Sequence, residues 1–194
     1  FEPATVLPTP TAPPMPLRPA PRIPTIDLTG LNRLGELRGA GRTQAATRFR
    51  ADARNEAVVL RALRWLKSQQ RADGAWDAPR PAMTGLALMT YLAHNDTPAS
   101  PEFGDTVRRA MEWLLANQLA DGRFQGRDEH DYSQPIAAYA LCEAFTMTRI
   151  PDVRQAAERA IDVILRGQHP GGGWDYNCRQ SDRNDLSYSG WCVQ

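Results

Sequence analysis

One cassette is written three times along this chain, and it constrains the fold more than any single residue. Arg61-Ala62-Leu63-Arg64-Trp65-Leu66 leads to Gln70, Gly74 and Trp76; Arg109-Ala110-Met111-Glu112-Trp113-Leu114 leads to Gln118, Gly122 and Phe124. The third copy, Arg159-Ala160-Ile161-Asp162-Val163-Ile164, leads to Gln168, Gly172 and Trp174. In each, a glutamine is followed by three residues, a glycine, one residue and an aromatic ring, and the glutamines stand 48 and 50 residues apart. A period of that length marks an array of supersecondary units, each needing its neighbours to cover its apolar face.

Counting back from each glutamine gives the same apolar offsets: Val59, Leu63, Leu66; Val107, Met111, Leu114; Ala157, Ile161, Ile164. Steps of four and three place these on one stripe of a helix. Arg61, Arg109 and Arg159 fall off that stripe and are expected in solvent. Each helix must end near its glycine, because Asp73-Gly74, Asp121-Gly122 and His169-Pro170-Gly171-Gly172-Gly173 are turn sequences. The glutamine and the ring then form a clasp: the carboxamide satisfies backbone groups left open at the helix end, and the ring packs across it. Burying such a ring removes about 150–250 Å² from water, which stabilises by about 4–6 kcal/mol at ~25 cal/mol/Å².

A more apolar helix follows each clasp. Thr84 to Leu92 is the first, Pro135 to Cys142 the second, with Pro135 suited to a first turn, and Ser189 to Val193 begins a third. Asp152 with Gln155 reads as a capping box opening the third amphipathic helix. The amphipathic helices are expected as an outer layer and the Ala/Leu-rich ones as an inner layer buried all round. The unit is an α/α hairpin and the fold class all-α.

The three copies resemble the QW motif of the terpenoid cyclase and protein prenyltransferase superfamily, in particular the squalene-cyclase/prenyltransferase repeat proteins of bacteria. Thr84 to Leu88, Ile136 to Ala144 and Gly171 to Asn177 are similar to that group, and the resemblance covers residues 52 to 194. It implies an α/α toroid of concentric helices, of which three repeats would be about half. The chain opens on Phe1 and stops within an apolar segment at Gln194, which reads as a piece of a longer protein whose remainder completes the toroid.

Composition narrows the partners. A net charge of +1 gives no global attraction for nucleic acid or an anionic membrane. Lys67 is the single lysine among 23 basic residues, a bias that with the abundant alanine suggests a GC-rich bacterial genome. No run approaches the ~18–20 apolar residues of a membrane span, so the chain reads as soluble, with envelope attachment possible only through an upstream anchor. Residues 1–24 hold nine of the sixteen prolines and are expected to form an extended, disordered linker. The Arg/Gly-containing stretch that continues to residue 51 is read as a solvated connector. Cys142, Cys178 and Cys192 lack metal-binding spacing, and Cys142 reads as a small core residue.

The resemblance implies two chemistries, and the residues depart from both. The family's cyclases protonate an alkene or epoxide with the middle acid of a D-x-D-D motif. Asp182-Arg183-Asn184-Asp185 is the nearest match, with a carboxamide where the proton donor belongs. The prenyltransferases hold zinc with a D-x-C-Y segment, a remote cysteine-for-serine difference from Asp185-Leu186-Ser187-Tyr188; a neutral serine hydroxyl is a poor zinc ligand. The C-G-E-Q segment of thioester-domain relatives is not supplied by Cys142-Glu143-Ala144.

Four weak catalytic candidates follow: Asp182 and Asp185 in the polar loop, Asp128 and His130 in the segment ahead of the second inner helix. Tyr139, Tyr188 and Trp191 are candidates for lining a cavity. His94 reads as part of a polar helix terminus, His169 as an exposed turn residue, and Asp175 as a brace of the third clasp. Neither metal nor cofactor is expected. The reading is a cyclase-like repeat domain without cyclase or zinc chemistry, binding an apolar small molecule or a protein through its cavity or mouth. The rivals are an isoprenoid-processing enzyme with its catalytic groups in the missing half, and a structural module of a bacterial envelope protein.

Overall fold

A computed structural model of the chain describes residues 53–126 and 130–194. The Pro-rich segment and its connector, together with Asp128, lie outside the described residues.

The described residues are helical, in an alternating order. The amphipathic helices are α1 (Ala53–Ser68), α3 (Gly104–Asn117) and α5 (Pro151–Gly167); the apolar ones are α2 (Arg80–Ala93), α4 (Ser133–Thr148) and α6 (Leu186–Val193). A short 3₁₀ turn spans Tyr176–Cys178, and the one β contact among the described residues is an isolated bridge between Gln118 and Phe124. No described helix is long and apolar enough to cross a membrane.

The helices α2 and α4 pack along their lengths and form the centre of the array. Small side chains make this possible: a β-carbon on Gly85 would lie 3.1 Å from Ile136, and Ala137, Ala138, Ala140 and Ala144 are all buried. Ridges of such residues let two helix backbones approach closely. The outer helices cover this pair with Val107, Met111 and Leu114 from α3 and with Val153, Ala156, Ala160 and Ile164 from α5.

Each clasp is built alike. Gln118 and Gln168 leave the helix in extended conformation, and the turns that follow are closed by backbone bonds such as Leu119 N to Arg123 O at 2.8 Å and His169 N to Gly173 O at 2.9 Å. Gly74, Gly122 and Gly172 adopt φ of 97°, 89° and 92°, a region L side chains rarely enter. Each glutamine Nε2 donates to the carbonyl of its own glycine, at 2.9, 3.2 and 2.9 Å. Trp76, Phe124 and Trp174 each retain 5% exposure. The indoles add a bond that phenylalanine lacks: Trp76 Nε1 donates to Leu66 O at 2.9 Å and Trp174 Nε1 to Ile164 O at 2.7 Å.

The structure corrects several sequence expectations. The inner helices are not buried all round: Met83 is 40% exposed, and Tyr139, Cys142 and Glu143 are half-buried along an open flank. Val59 and Ile161 are 42% and 38% exposed, unlike Val107 and Met111 at the same register, and Val59 lies at a cleft beside the inner helices. Of the three arginines at one register, Arg61 is exposed as expected, whereas the other two are not simply solvated. Arg109 donates to the carbonyls of Arg71 and Ala72, and Arg159 to Gln118 Oε1 at 2.7 Å, so each holds the preceding turn. Helix α5 opens on Pro151 with Ile150 as its cap, leaving Asp152 within the first turn and no capping box. His169 is buried rather than exposed, with Nδ1 3.1 Å from Asn184 Oδ1 and Nε2 2.7 Å from Arg179 O.

Candidate functional site

The loop that carries the acid-motif match is a structural brace. Asp175, 3% exposed, accepts from Tyr176 N at 2.8 Å and Ser181 Oγ at 2.9 Å, with Arg179 and Arg183 each 3.7 Å away. Burial pushes its carboxyl up, but the hydrogen bonds and the two guanidiniums outweigh that and hold it below the usual range. Asn184, at the proton-donor position, bonds to His169 and lies against Gly173, where a β-carbon would be 2.5 Å from its Oδ1. Asp182 is exposed on this loop.

Asp185 caps α6. Its Oδ1 accepts from Ser187 Oγ at 2.6 Å and from Tyr188 N at 2.8 Å, and Arg183 stands 3.4 Å from its other oxygen. The Ser187 hydroxyl, the Tyr188 amide and the neighbouring guanidinium pull its carboxyl down to about 2. At neutral pH this group is a carboxylate with no proton to give. Ser187, where a zinc site would place cysteine, spends its hydroxyl on Asp185 and on Tyr132 Oη, 2.7 Å away.

Behind the cap lies a group of aromatic rings. Tyr132, Tyr176 and Tyr188 meet with centroids 5.4 to 5.6 Å apart, and the edge of His130 meets Tyr176 at 4.9 Å. Tyr132 Oη and Tyr176 Oη are 3.3 Å apart, so the hydroxyls run from Tyr176 through Tyr132 and Ser187 to Asp185. The bond to Tyr132, with burial, pushes the Tyr176 phenol up to about 12. Tyr176 and Tyr188 pack within this ring group, and Tyr132 also reaches the edge of a cleft beside the inner helices. Tyr188 in particular has 0% exposure and is packed among these rings.

Two clefts open beside the inner helices. The smaller, about 330 Å³, lies between the starts of α2 and α4 and the middle of α6, with Met83, Leu86, Ile136 and Trp191 as its apolar wall and His130 and Asp131 at its edge. The larger, about 620 Å³, runs past Leu63, Met89, Tyr139, Glu143 and Met147. The sequence-based candidates Trp191 and His130 thus meet at one cleft, Tyr139 lines the other, and Asp182 and Asp185 line neither. Among the described residues no three His, Cys, Asp or Glu side chains converge as a metal-binding group. Cys142 is half-buried, and burial raises its thiol.

Sequence reasoning missed the side chains that lock each ring's backbone to the inner helix. Trp76 N donates to Thr84 Oγ1 at 3.2 Å, Phe124 N to Gln134 Oε1 at 2.8 Å, and Trp174 N to Ser189 Oγ at 2.9 Å. The available signal was a polar residue near the start of each otherwise apolar helix.

No family model matches the chain. Among curated proteins it is 28% identical over 130 residues to lanosterol synthase of Homo sapiens, covering 60% of this chain and 18% of that one. It is 30% identical over 154 residues to drimenyl diphosphate synthase of Streptomyces showdoensis, covering 74% of this chain and 28% of that one. The chain is thus similar to enzymes of the terpenoid cyclase superfamily. A further cyclase relative, copalyl diphosphate synthase of Streptomyces cyslabdanicus, is 27% identical over 108 residues, 56% of this chain and 20% of that one. The matched stretches are between 18% and 28% of the length of these three terpenoid cyclase relatives.

Proposed function

We propose that this chain is a cyclase-like repeat domain that binds an apolar small molecule without cyclising it. The observation that carries the reading is the state of the acid-motif match. Asn184 occupies the donor position, and the adjacent Asp185 is a helix cap held at about 2. A general acid must be protonated at the working pH and free to reach its substrate; neither residue meets both needs. The cleft at Met83, Leu86, Ile136 and Trp191 supplies apolar walls and one indole, the composition that suits a small hydrophobic ligand.

A second reading is favoured by the relatives, whose names are those of synthases: an isoprenoid-processing enzyme whose acid lies elsewhere in a longer polypeptide. Prenyltransferase chemistry and a purely structural envelope role have no comparable support. The discriminating experiment incubates the protein with a C30 polyprene in detergent micelles. Indole fluorescence follows binding, and gas chromatography with mass spectrometry follows product. Saturable quenching, weakened at least ~10-fold in Trp191→Ala, with no cyclised product is the expected outcome. Turnover that disappears in Asp185→Asn would replace the binding reading with the enzymatic one.

A further inference from the structure

Two of the three cysteines meet beneath α6. Cys178 closes the short 3₁₀ turn and keeps 6% exposure, while Cys192 lies in the last turn of α6, half-buried against the core. Tyr188 stands four residues before Cys192, so both side chains share one face of that helix. Tyr188 Oη lies 3.4 Å from Cys178 Sγ, and the Cys192 thiol is hydrogen-bonded to the same sulfur. All three cysteines are free thiols.

The backbone fixes where Cys178 stands. Asn177 and Cys178 have φ of 58° and 53°, the left-handed region that residues with a β-carbon seldom enter. A β-carbon on Gly167 would stand 2.4 Å from Cys178 Cβ, so the end of α5 backs directly onto the cysteine. Backbone of this kind persists where its surroundings over-determine it, and here it turns one sulfur towards two donors. The donors divide the protons unevenly. The bond from Cys192 is the main influence holding the Cys178 thiol below its ordinary value; Tyr188 and the Arg123 charge act in the same direction, against burial. The same bond, with burial, pushes the Cys192 thiol up. A sulfur poised as thiolate beside a protonated thiol is the pairing of an oxidisable cysteine with its resolving partner. Cys142 has no such pairing: its thiol is raised by burial and by the Glu143 charge.

We propose that Cys178 and Cys192 form a redox-active dithiol that hydrogen peroxide converts into an intramolecular disulfide. The Cys178 thiolate attacks one peroxide oxygen and the O–O bond breaks; the sulfur is oxidised to a sulfenic acid and the other oxygen leaves as hydroxide. The Cys192 sulfur then displaces the hydroxyl group, forming the S–S bond, and its proton leaves with that hydroxyl as water. The proton that Cys178 lost on ionising neutralises the hydroxide, so two thiols and one peroxide give one disulfide and two waters. Burial of Cys178 suits an oxidant of two heavy atoms. The bridge ties the 3₁₀ turn to the end of α6 and encloses the loop that carries Asp182, Asn184 and Asp185. It also pins Trp191, a wall of the smaller cleft, from the next position in the chain. The inference is independent of the ligand-binding reading.

Peptide mapping tests it on the reduced chain, treated with a small molar excess of hydrogen peroxide, blocked with iodoacetamide and digested with trypsin without reductant. Cys178 and Cys192 fall in separate peptides, 167–179 and 184–194, so the bridge appears as their summed mass less two hydrogens and vanishes on reduction. Thiol loss should be at least ~10-fold slower in Cys178→Ser. In Cys192→Ser the reaction should stop at a Cys178 sulfenic acid that dimedone traps, and Cys142→Ser should form the bridge at the parent's rate. Circular dichroism checks the helix content of each variant. Because the sulfurs already touch in the fold, the oxidised parent should melt roughly 4 °C or more above the reduced one. A parent that forms no bridge or one through Cys142, a sulfenic acid at Cys192, a folded Cys178→Ser chain oxidised at the parent's rate, or an oxidised parent that melts at or below the reduced one would each overturn the proposal.

Discussion

Gly122 lies so close to Arg159 that a β-carbon on it would stand 2.3 Å from the Arg159 carbonyl oxygen. This approach, repeated between Gly74 and Arg109 at 2.5 Å, brings each outer helix against the preceding turn. The glycine therefore serves two needs at once: a positive φ that closes the turn, and an absent side chain that lets the next helix seat.

The two needs can be separated by substitution. Gly172 has φ 92° but no neighbour within 4 Å, so Gly172→Ala should cost only the backbone strain, about 1–2 kcal/mol. Gly122→Ala adds the collision with Arg159 and should cost about 4 kcal/mol or more. Urea unfolding of both variants at low protein concentration measures the difference; equal losses would show that the close approach is unimportant.

The rings of the clasp can be dissected in the same way. Trp174→Phe keeps the apolar burial and loses the bond to Ile164 O, so it should cost about 1 kcal/mol. Trp174→Ala removes the buried ring and should cost about 3–5 kcal/mol. Phe124 already lacks the indole bond at the same 5% exposure, which is the natural precedent for the milder change. Denaturant midpoints for the pair check the ordering, and a Phe variant as unstable as the Ala variant would assign the main role to the hydrogen bond.

The all-α fold and the positions of the three clasps were legible because they rest on local rules: a helical stripe, turn dipeptides and a repeated ring. What was not legible depends on neighbours. Ile161 and Val59 match the apolar stripe of Met111 and Val107, yet the stripe cannot say which of its positions a neighbouring helix covers. His169 stands in a Pro-Gly turn that reads as solvent-facing, and only the fold-back of residues 179–184 buries it. For the candidate site, the substitution at Asn184 was visible in sequence, whereas the role of Asp185 as a cap required the hydroxyl and amide that converge on it. Tyr188 shows the limit of reading aromatics: nothing in one chain of letters tells a ring that walls a cleft from one packed among other rings.

Gln134 is the least replaceable of the three locking side chains. It accepts from Phe124 N at 2.8 Å and donates to Ala160 O at 3.1 Å, joining the second clasp to α4 and α5 while 3% exposed. Gln134→Leu keeps most of the volume but leaves a buried amide and a buried carbonyl without these partners, a loss of about 1–3 kcal/mol for each unsatisfied group. Thermal unfolding should place it well below Thr84→Val, in which one amide loses its partner.

Acid should act on the cap of α6 before neutral pH does. The Asp185 carboxyl sits at about 2 in the folded chain, below the ~3.9 of an aspartate in an unfolded one. A folded value below the unfolded one means the unfolded state binds the proton more tightly, so the contribution is complete above pH ~4 and is lost as pH falls towards about 2. Melting curves of the parent and Asp185→Asn should therefore differ by a constant amount from pH 5 to 7 (roughly the span over which both aspartate states are ionised) and converge below it. Curves that stayed parallel down to pH ~2 would mean the carboxylate charge contributes nothing to the cap, and that the Ser187 and Tyr188 bonds are served as well by an amide oxygen.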